Sequence, residues 1–494
     1  MIITQEQAFL KAHEQFQILR DFVARASTER QRLDQAERGL LSGLLALGGS
    51  LLTAFIAGAG DGDCGDTTTA ADGSVQRRLP EQHSRPYRSI FGTLSITRYV
   101  YGTREGQRIA CVPLDARLGM PEGEFSYVLE DWLQRFAVKG SFAEAAQSLE
   151  ELLGLKPSVR SIEDMNRTMA DVAANFIDQR PTPPATEEGE LVVLTADGKG
   201  VVMRRPAVEG PRQSPTPDTK VKTGRKQMAC VGAFYTIDRF VRTADQVIDE
   251  LQRKLRAKDR PRPCHKHVWA EMTCVVEGET YNGRVTLFDH LVQEWARRDP
   301  AQHKIAICLF DGERALWDAW DLFFEHTIGI LDIFHVLEYL WDAAHCFHPE
   351  QSRAAADFAT DRLRMMLEGK VGYVIGGLRQ MQTKHGLPAA KRKKLATVIG
   401  YFENNRTHMR YDEYLAAGYP IGSGVAEGAC RHLVKDRLEQ TGMRWVRDGA
   451  QAMLYLRATY LNGDWEEFIN YRIRTEQTRL YGTSSHEPQF TMAG

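Results

Sequence analysis

Eight cysteines are spread singly through 494 residues, with no Cys-x-x-Cys pair. That pattern offers neither a disulfide framework nor a structural zinc site. Cys264, His265 and His267 stand close together in PRPCHKH, but nothing nearby completes a four-ligand set, and the stretch reads as a turn. An excess of charge is missing too: the formal net charge is −2, so any hold on nucleic acid has to come from local basic segments. No signal pattern opens the chain, whose first 38 residues are heavily charged and helical in period. One long apolar run exists, Gly39–Gly60, but it carries six glycines and continues an amphipathic helix. It reads as a packed helix with a break, not as a membrane span. Otherwise 43% hydrophobic and 26% charged residues are ordinary for a globular protein, and the length allows two to four domains.

The densest signal is GYPIGSGVAEGACRHLVKDRLEQTGMRW, from Gly418 to Trp445. A proline and three glycines surround Ser423, which is placed to cap the helix that follows. The pattern is helical from Val425 to about Gln440, and Glu427, Arg431 and Lys435 fall four apart on one face. Such a stripe reads as a solvated ladder of charges or, given the glycine-rich approach, as a close-packed face with Glu427 as a metal ligand.

Two apolar runs upstream end in aspartate. Leu191–Leu194 leads to Asp197, followed by Gly198, Gly200 and a second strand from Val201 to Met203; Ile305–Phe310 leads to Asp311 and Gly312. An acid in that place is commonly a turn residue, or it faces a cleft from a strand's end. Gathering three carboxylates serves hard divalent cations. Mg²⁺ takes oxygen ligands and uses few protein carboxylates beside substrate phosphates. Two such ions about 3.5–4 Å apart can clamp the attacking and leaving oxygens of a phosphoryl displacement. The three acids are far apart in sequence, so other structure is inserted between them.

The motifs TADGKGV, FDGERALW, ILDIFHVLEYLW and YPIGSGVAEGACRHLVKDRLEQTGMRW resemble those of the Kra-type family of bacterial insertion-sequence transposases. That family belongs to the DDE class, and the resemblance runs from about Ser89 to Thr478. It implies a ribonuclease-H-like catalytic core with Asp197, Asp311 and Glu427 as the triad. It also implies a helical insertion between Asp311 and Glu427, as in the more distant Mutator and hAT transposases. Asp332 and His335 resemble the acid/Cys-x-x-His motif of those relatives, and Arg444–Trp445 their Arg–Trp pair. The family often has a zinc-binding Cys pair after a Tyr; here Tyr101–Gly106 contains none, so no zinc is expected.

The rest of the chain reads as follows. Residues 1–60 form a helical arm, 61–83 a flexible linker, and 84–123 a β-hairpin region turning at Gly102–Gly106. Residues 124–180 outline a helix-turn-helix, with the break GLKPS and a second helix starting at Val159 or Arg160. Arg160 and Arg167 then meet DNA, or the pair is a helical hairpin that binds nothing. A linker, 181–190, leads into the first segment of the core at 191–349. The Pro-rich segment before Met228 reads as a mobile loop whose Arg204, Arg205, Lys222, Arg225 and Lys226 are either solvated or grip phosphate. Met228–Ile237 is a third strand completing a meander. Asp332 reads as a helix N-cap or a neighbour of the metal site, and His335 as a core or a catalytic histidine. Residues 350–417 are the helical insertion, 418–480 return to the core with the Glu427 helix, and 481–494 are a disordered tail.

The fold expected is multi-domain α/β with a mixed-sheet core. The function expected is a DNA transposase using two Mg²⁺ (or Mn²⁺) ions, with Asp197 and Asp311 holding both and Glu427 one. It cuts the transposon ends and joins their 3′-hydroxyls to target DNA. Arg431 and Lys435 would neutralise phosphates, with Arg444 and Trp445 also at the DNA. The partners expected are double-stranded terminal repeats and target DNA, on an assembly of at least two copies in the bacterial cytoplasm, without a membrane. Two rivals stand beside this reading: a metal-dependent nuclease without strand transfer, and a non-catalytic repressor derived from a transposase.

Overall fold

Leu191–Leu194 are completely buried, and such a run, apolar on both faces, suits a strand covered from both sides. In the computed structural model it begins the central strand β1 (Leu191–Val202). The structure describes residues 4–70, 73–103, 109–177, 179–204, 226–254, 260–276, 279–440 and 442–482. The other strands of this sheet are β2 (Lys226–Ile237), β3 (Cys264–Met272), β4 (Ile305–Phe310) and β5 (Ile328–Leu331). Their order is β5-β4-β1-β2-β3. β2 and β3 add to β1 in antiparallel fashion, while β4 and β5 run parallel to it. Parallel neighbours need a crossover; Gly283–Arg298 lies between β3 and β4, and Arg314–Phe323 between β4 and β5. This mixed five-stranded sheet is compatible with a ribonuclease-H-like core.

Two expectations change here. β1 does not stop at Asp197: Gly198 and Gly200 pair with Cys230 and Met228 on β2, so the two glycines lie inside one continuous strand. The third member of the meander is β3. The turn expected at PRPCHKH gives way to a strand from Cys264, because Val268, Trp269, Ala270 and Met272 are buried against the sheet.

The chain divides into two compact units, Met1–Phe176 with Asp464–Gly494, and Ile177–Gly463. The second unit holds the sheet. The stretch read as the linker 181–190 is tied down within it: Glu188 pairs with Arg298, both side chains about 1% exposed. Helices Arg353–Leu367, Val371–Lys384, Ala389–Asn404 and Tyr411–Ala416 fill the expected insertion.

In the first unit, α1 (Gln5–Thr28) and α2 (Leu33–Gly58) form a hairpin. α2 runs without the expected break. Its glycines serve close approach: a Cβ on Gly39 would strike the Phe22 ring, and one on Gly43 the Leu19 side chain. α2 is long and apolar enough to cross a membrane, by length and composition, and only 6% of its apolar window is buried. The region 61–83 carries strands Thr67–Thr69 and Val75–Arg78, more order than a linker implies. The β-hairpin joins His83–Ser89 to Gly92–Arg98, turning upstream of the expected site. α3 (Phe142–Leu153) and α4 (Val159–Ile177) match the helix-turn-helix outline, with Gly154 in the left-handed conformation between them. The last helix, Trp465–Tyr481, belongs to this unit and not to the core, since Arg472 reaches the buried Glu130 at 2.6 Å.

Candidate functional site: three acids on one sheet edge

The register of the parallel strands decides where the acids go. Phe310 pairs with Ala196 and with Leu331. The next residues are therefore Asp197, Asp311 and Asp332, side by side: Asp311 and Asp332 at the edge formed by the carboxyl ends of β4 and β5, and Asp197 level with them inside β1. That edge is where open α/β sheets place ligands.

Asp197 accepts from the Gly198 amide at 2.6 Å and from the Cys430 thiol at 3.2 Å. Asp311 accepts from the Glu313 amide at 2.8 Å. Burial raises the pKa of Asp311, the charge of Asp197 adds to that, and His335 opposes it. Glu427 comes from α6 (Gly424–Ala429). Its pKa is raised first by desolvation and then by Asp332, with Asp197 contributing and His335 opposing. Asp197, Asp311, Asp332, Glu427 and His335 thus feel one another's charge. Among the described residues none of the three triad acids forms an ion pair.

His335 lies in the first turn of α5 (Ile333–Phe347), and its Nδ1 is buried with no hydrogen-bond partner among the described residues. Asp332 caps that helix, as expected, accepting from the Phe334 amide at 2.8 Å.

The donor chemistry of this edge, hard carboxylate oxygens from adjoining strands and from α6, suits a divalent cation. The side chains are not already drawn into a cage, for among the described residues no three His, Cys, Asp or Glu groups are close enough to hold a metal. Three anions with nothing between them repel, so a spread arrangement is the electrostatic expectation.

The other candidates are scattered. The helix after Glu427 is not uniform: Cys430–Lys435 makes a π turn before Asp436–Leu438. Through this turn Glu427, Arg431 and Lys435 all stay exposed, while Ala426, Cys430, Val434 and Leu438 are buried. Arg431 is exposed, 3.9 Å from Asp436. The buried Arg457 donates to the Leu433 carbonyl at 2.9 Å and to that of His432, which supports the turn from below. Trp445 is buried. Its indole donates to Leu438 at 3.1 Å and its amide to Val202 at 3.0 Å, so it holds the end of β1. Arg444 and Arg204 are exposed, and Lys226 pairs with Glu439 at 2.9 Å. Arg205, Lys222 and Arg225 lie outside the described residues. On α4, Arg160 is exposed and Arg167 half-buried, and both pair with Asp164.

The site has three further neighbours, of which sequence had singled out only Ser423, as a cap for its own helix. Cys430 touches Asp197, and Ser423 binds Asp332. Tyr401, from the insertion, lies on Gly312 and stacks on Tyr339 at 3.7 Å between ring centroids. Only Gly312 hinted at the last: directly after Asp311 there is no room for a side chain.

No family model matches this chain, and no curated protein matches it. Among solved structures, a chain of the Drosophila P element transposase strand transfer complex is similar over 70% of this chain and 81% of its own. Identity is 10% and the TM-score 0.24, a likeness that carries no functional argument.

Proposed function

We propose that this chain is a DNA transposase of the DDE class, cutting element ends and joining them to target DNA. The observation that supports it most is the row of Asp197 and Asp311 on adjacent parallel strands, with Glu427 brought into electrostatic reach from far along the chain. The motif resemblance had pointed to the same three residues. They would hold Mg²⁺ or Mn²⁺, which when bound lowers the pKa of the attacking oxygen's proton and neutralises charge gathering on the phosphate.

The chain's own residues supply the rest. Asp197 and Asp311 present their carboxylates from a rigid sheet, which fixes geometry better than a loop would. His335 stands between the acids with one ring nitrogen unengaged, a position suited to receiving or delivering a proton at a phosphate oxygen. Exposed Arg204, Arg431, Lys435 and Arg444 offer phosphate contacts, and Arg160 and Arg167 offer base contacts if α4 enters a groove. Double-stranded DNA is the partner, held by two or more copies.

The test is a labelled duplex carrying the repeats that flank the protein's own coding sequence, incubated with protein and Mg²⁺. Joined products are expected. Cleavage without joining would make it a nuclease, and a shifted but intact duplex a binding protein. Asp197→Ala, Asp311→Ala and Glu427→Ala should each abolish cleavage while leaving binding nearly intact. An acid whose variant still cuts at the wild-type rate is not in the triad.

A further inference from the structure

We infer that Asp332 is a positioning residue: its buried carboxylate locks the Gly422–Ser423–Gly424 turn and so fixes Glu427 relative to Asp311. The catalytic side of this rests on the function proposed above; the structural side does not.

The side chain has no contact with solvent. The backbone amide of Asp332 donates to the Phe310 carbonyl at 2.8 Å, one residue before Asp311. One carboxylate oxygen, Oδ1, caps its own helix through Phe334. The other, Oδ2, accepts from the Ser423 amide at 3.0 Å and from the Ser423 hydroxyl. Beside them the Ile333 amide donates to the Ile421 carbonyl at 2.9 Å. The Ser423 carbonyl in turn accepts from Ala426 at 2.7 Å and from the amide of Glu427 itself at 3.1 Å. A line of hydrogen bonds therefore runs from the residue before Asp311, through Asp332 and Ser423, to Glu427. The elements it joins are far apart in sequence.

Ser423 shows that this is more than a helix cap. A serine at a helix start ordinarily accepts from an amide in the first turn. Here it makes no such cap, and its hydroxyl donates to Asp332 instead. The short helix bearing Glu427 is anchored from outside itself. That suits a helix whose next turn is π-helical and which has little of its own to hold it.

An amide cannot do the same job. In Asp332→Asn one oxygen remains, so one of the Phe334 and Ser423 amides loses its acceptor. Ser423→Ala removes only the hydroxyl bond and is the milder change. Hydrogen exchange on the full-length protein reads the clamp without catalysis: Asp332→Asn should speed exchange across residues 421–429, with Ser423→Ala intermediate. Cleavage by the same proteins should fall in kcat with KM for DNA unchanged. A displacement of about 1 Å can cost on the order of 10²-fold, and Asp332→Asn should lose about that much. The double variant should be no worse than Asp332→Asn alone, because both act through one contact.

Unchanged exchange at 421–429 in both variants overturns the clamp. Faster exchange with undiminished kcat overturns its role in positioning, as do additive losses in the double variant. Faster exchange in the variants, beside a wild type that never cuts DNA, leaves the clamp standing and removes the transposase reading. If Asp332→Asn does not fold, Ser423→Ala decides alone, by the same two measurements.

Discussion

His335 is the residue whose surroundings ask most directly for a substrate. It sits within the charge of Asp311, Asp332 and Glu427, yet its Nδ1 is buried without a partner among the described residues. An imidazole is the side chain best suited to pass a proton near neutral pH. Direct Mg²⁺ ligation is a poor alternative, since that ion prefers oxygen. His335→Ala should therefore lose about 10²–10⁴ in cleavage rate, the usual worth of a general acid or base, with its Mg²⁺ dependence close to wild type. Melting temperature and rate measured on one preparation decide it: a less stable but fully active variant would mark His335 as a core residue only.

At the level of elements, the sheet is pinned at the end opposite the acids by a buried ionic cluster. Glu294 meets His267 at 2.9 Å and Arg180 at 3.1 Å, and Arg298 also pairs with Glu188. Burial would raise the pKa of Glu294, but the His267 hydrogen bond and the charges of Arg180 and Arg298 outweigh it and hold it at about 2. A carboxylate depressed on folding contributes stability that is complete above its unfolded value. That contribution fades as pH falls from about 4.5 towards 2. Glu294→Gln leaves charged partners buried and should cost about 3–5 kcal/mol near neutral pH. Its deficit in melting temperature against wild type should shrink on acidification through that window, and a pH-independent deficit would refute the assignment. None of this cluster was legible from sequence, because its members come from a supposed linker, a supposed turn, one helix and the stretch just after α4. What was legible was local. The apolar runs before Asp197 and Asp311 gave β1 and β4, the GLKPS break gave the α3–α4 pair, and Asp332 reads as the N-cap it is. Glycine misled twice, at Gly198–Gly200 and in α2, because a glycine kept for close packing looks like one kept for a turn. The π turn after Ala429 leaves no periodic trace over so few residues.

At the scale of the whole molecule, α2 stands apart. No charged residue occurs between Gly39 and Gly58. Leu41, Leu44, Leu51 and Phe55 are exposed on it, as are Phe9, Phe16 and Ile18 on α1. Apolar surface of this extent is a candidate for association with a second copy. The wild type should run heavier than a monomer in light scattering. Leu44→Lys with Leu51→Lys should shift it towards monomer without lowering its melting temperature, since neither side chain is in the core. A mass unchanged by that pair would remove self-association through this hairpin. The distribution of the acids along the chain also has a consequence in time. A ribosome adds about 5–20 residues per second, so on the order of tens of seconds pass between the synthesis of Asp197 and that of Glu427. Throughout that interval the nascent chain carries the helix-turn-helix pair but an incomplete set of acids, one until Asp311 is added and two after it. Under the function proposed above, the newborn protein would meet DNA close to its own gene well before it could break it.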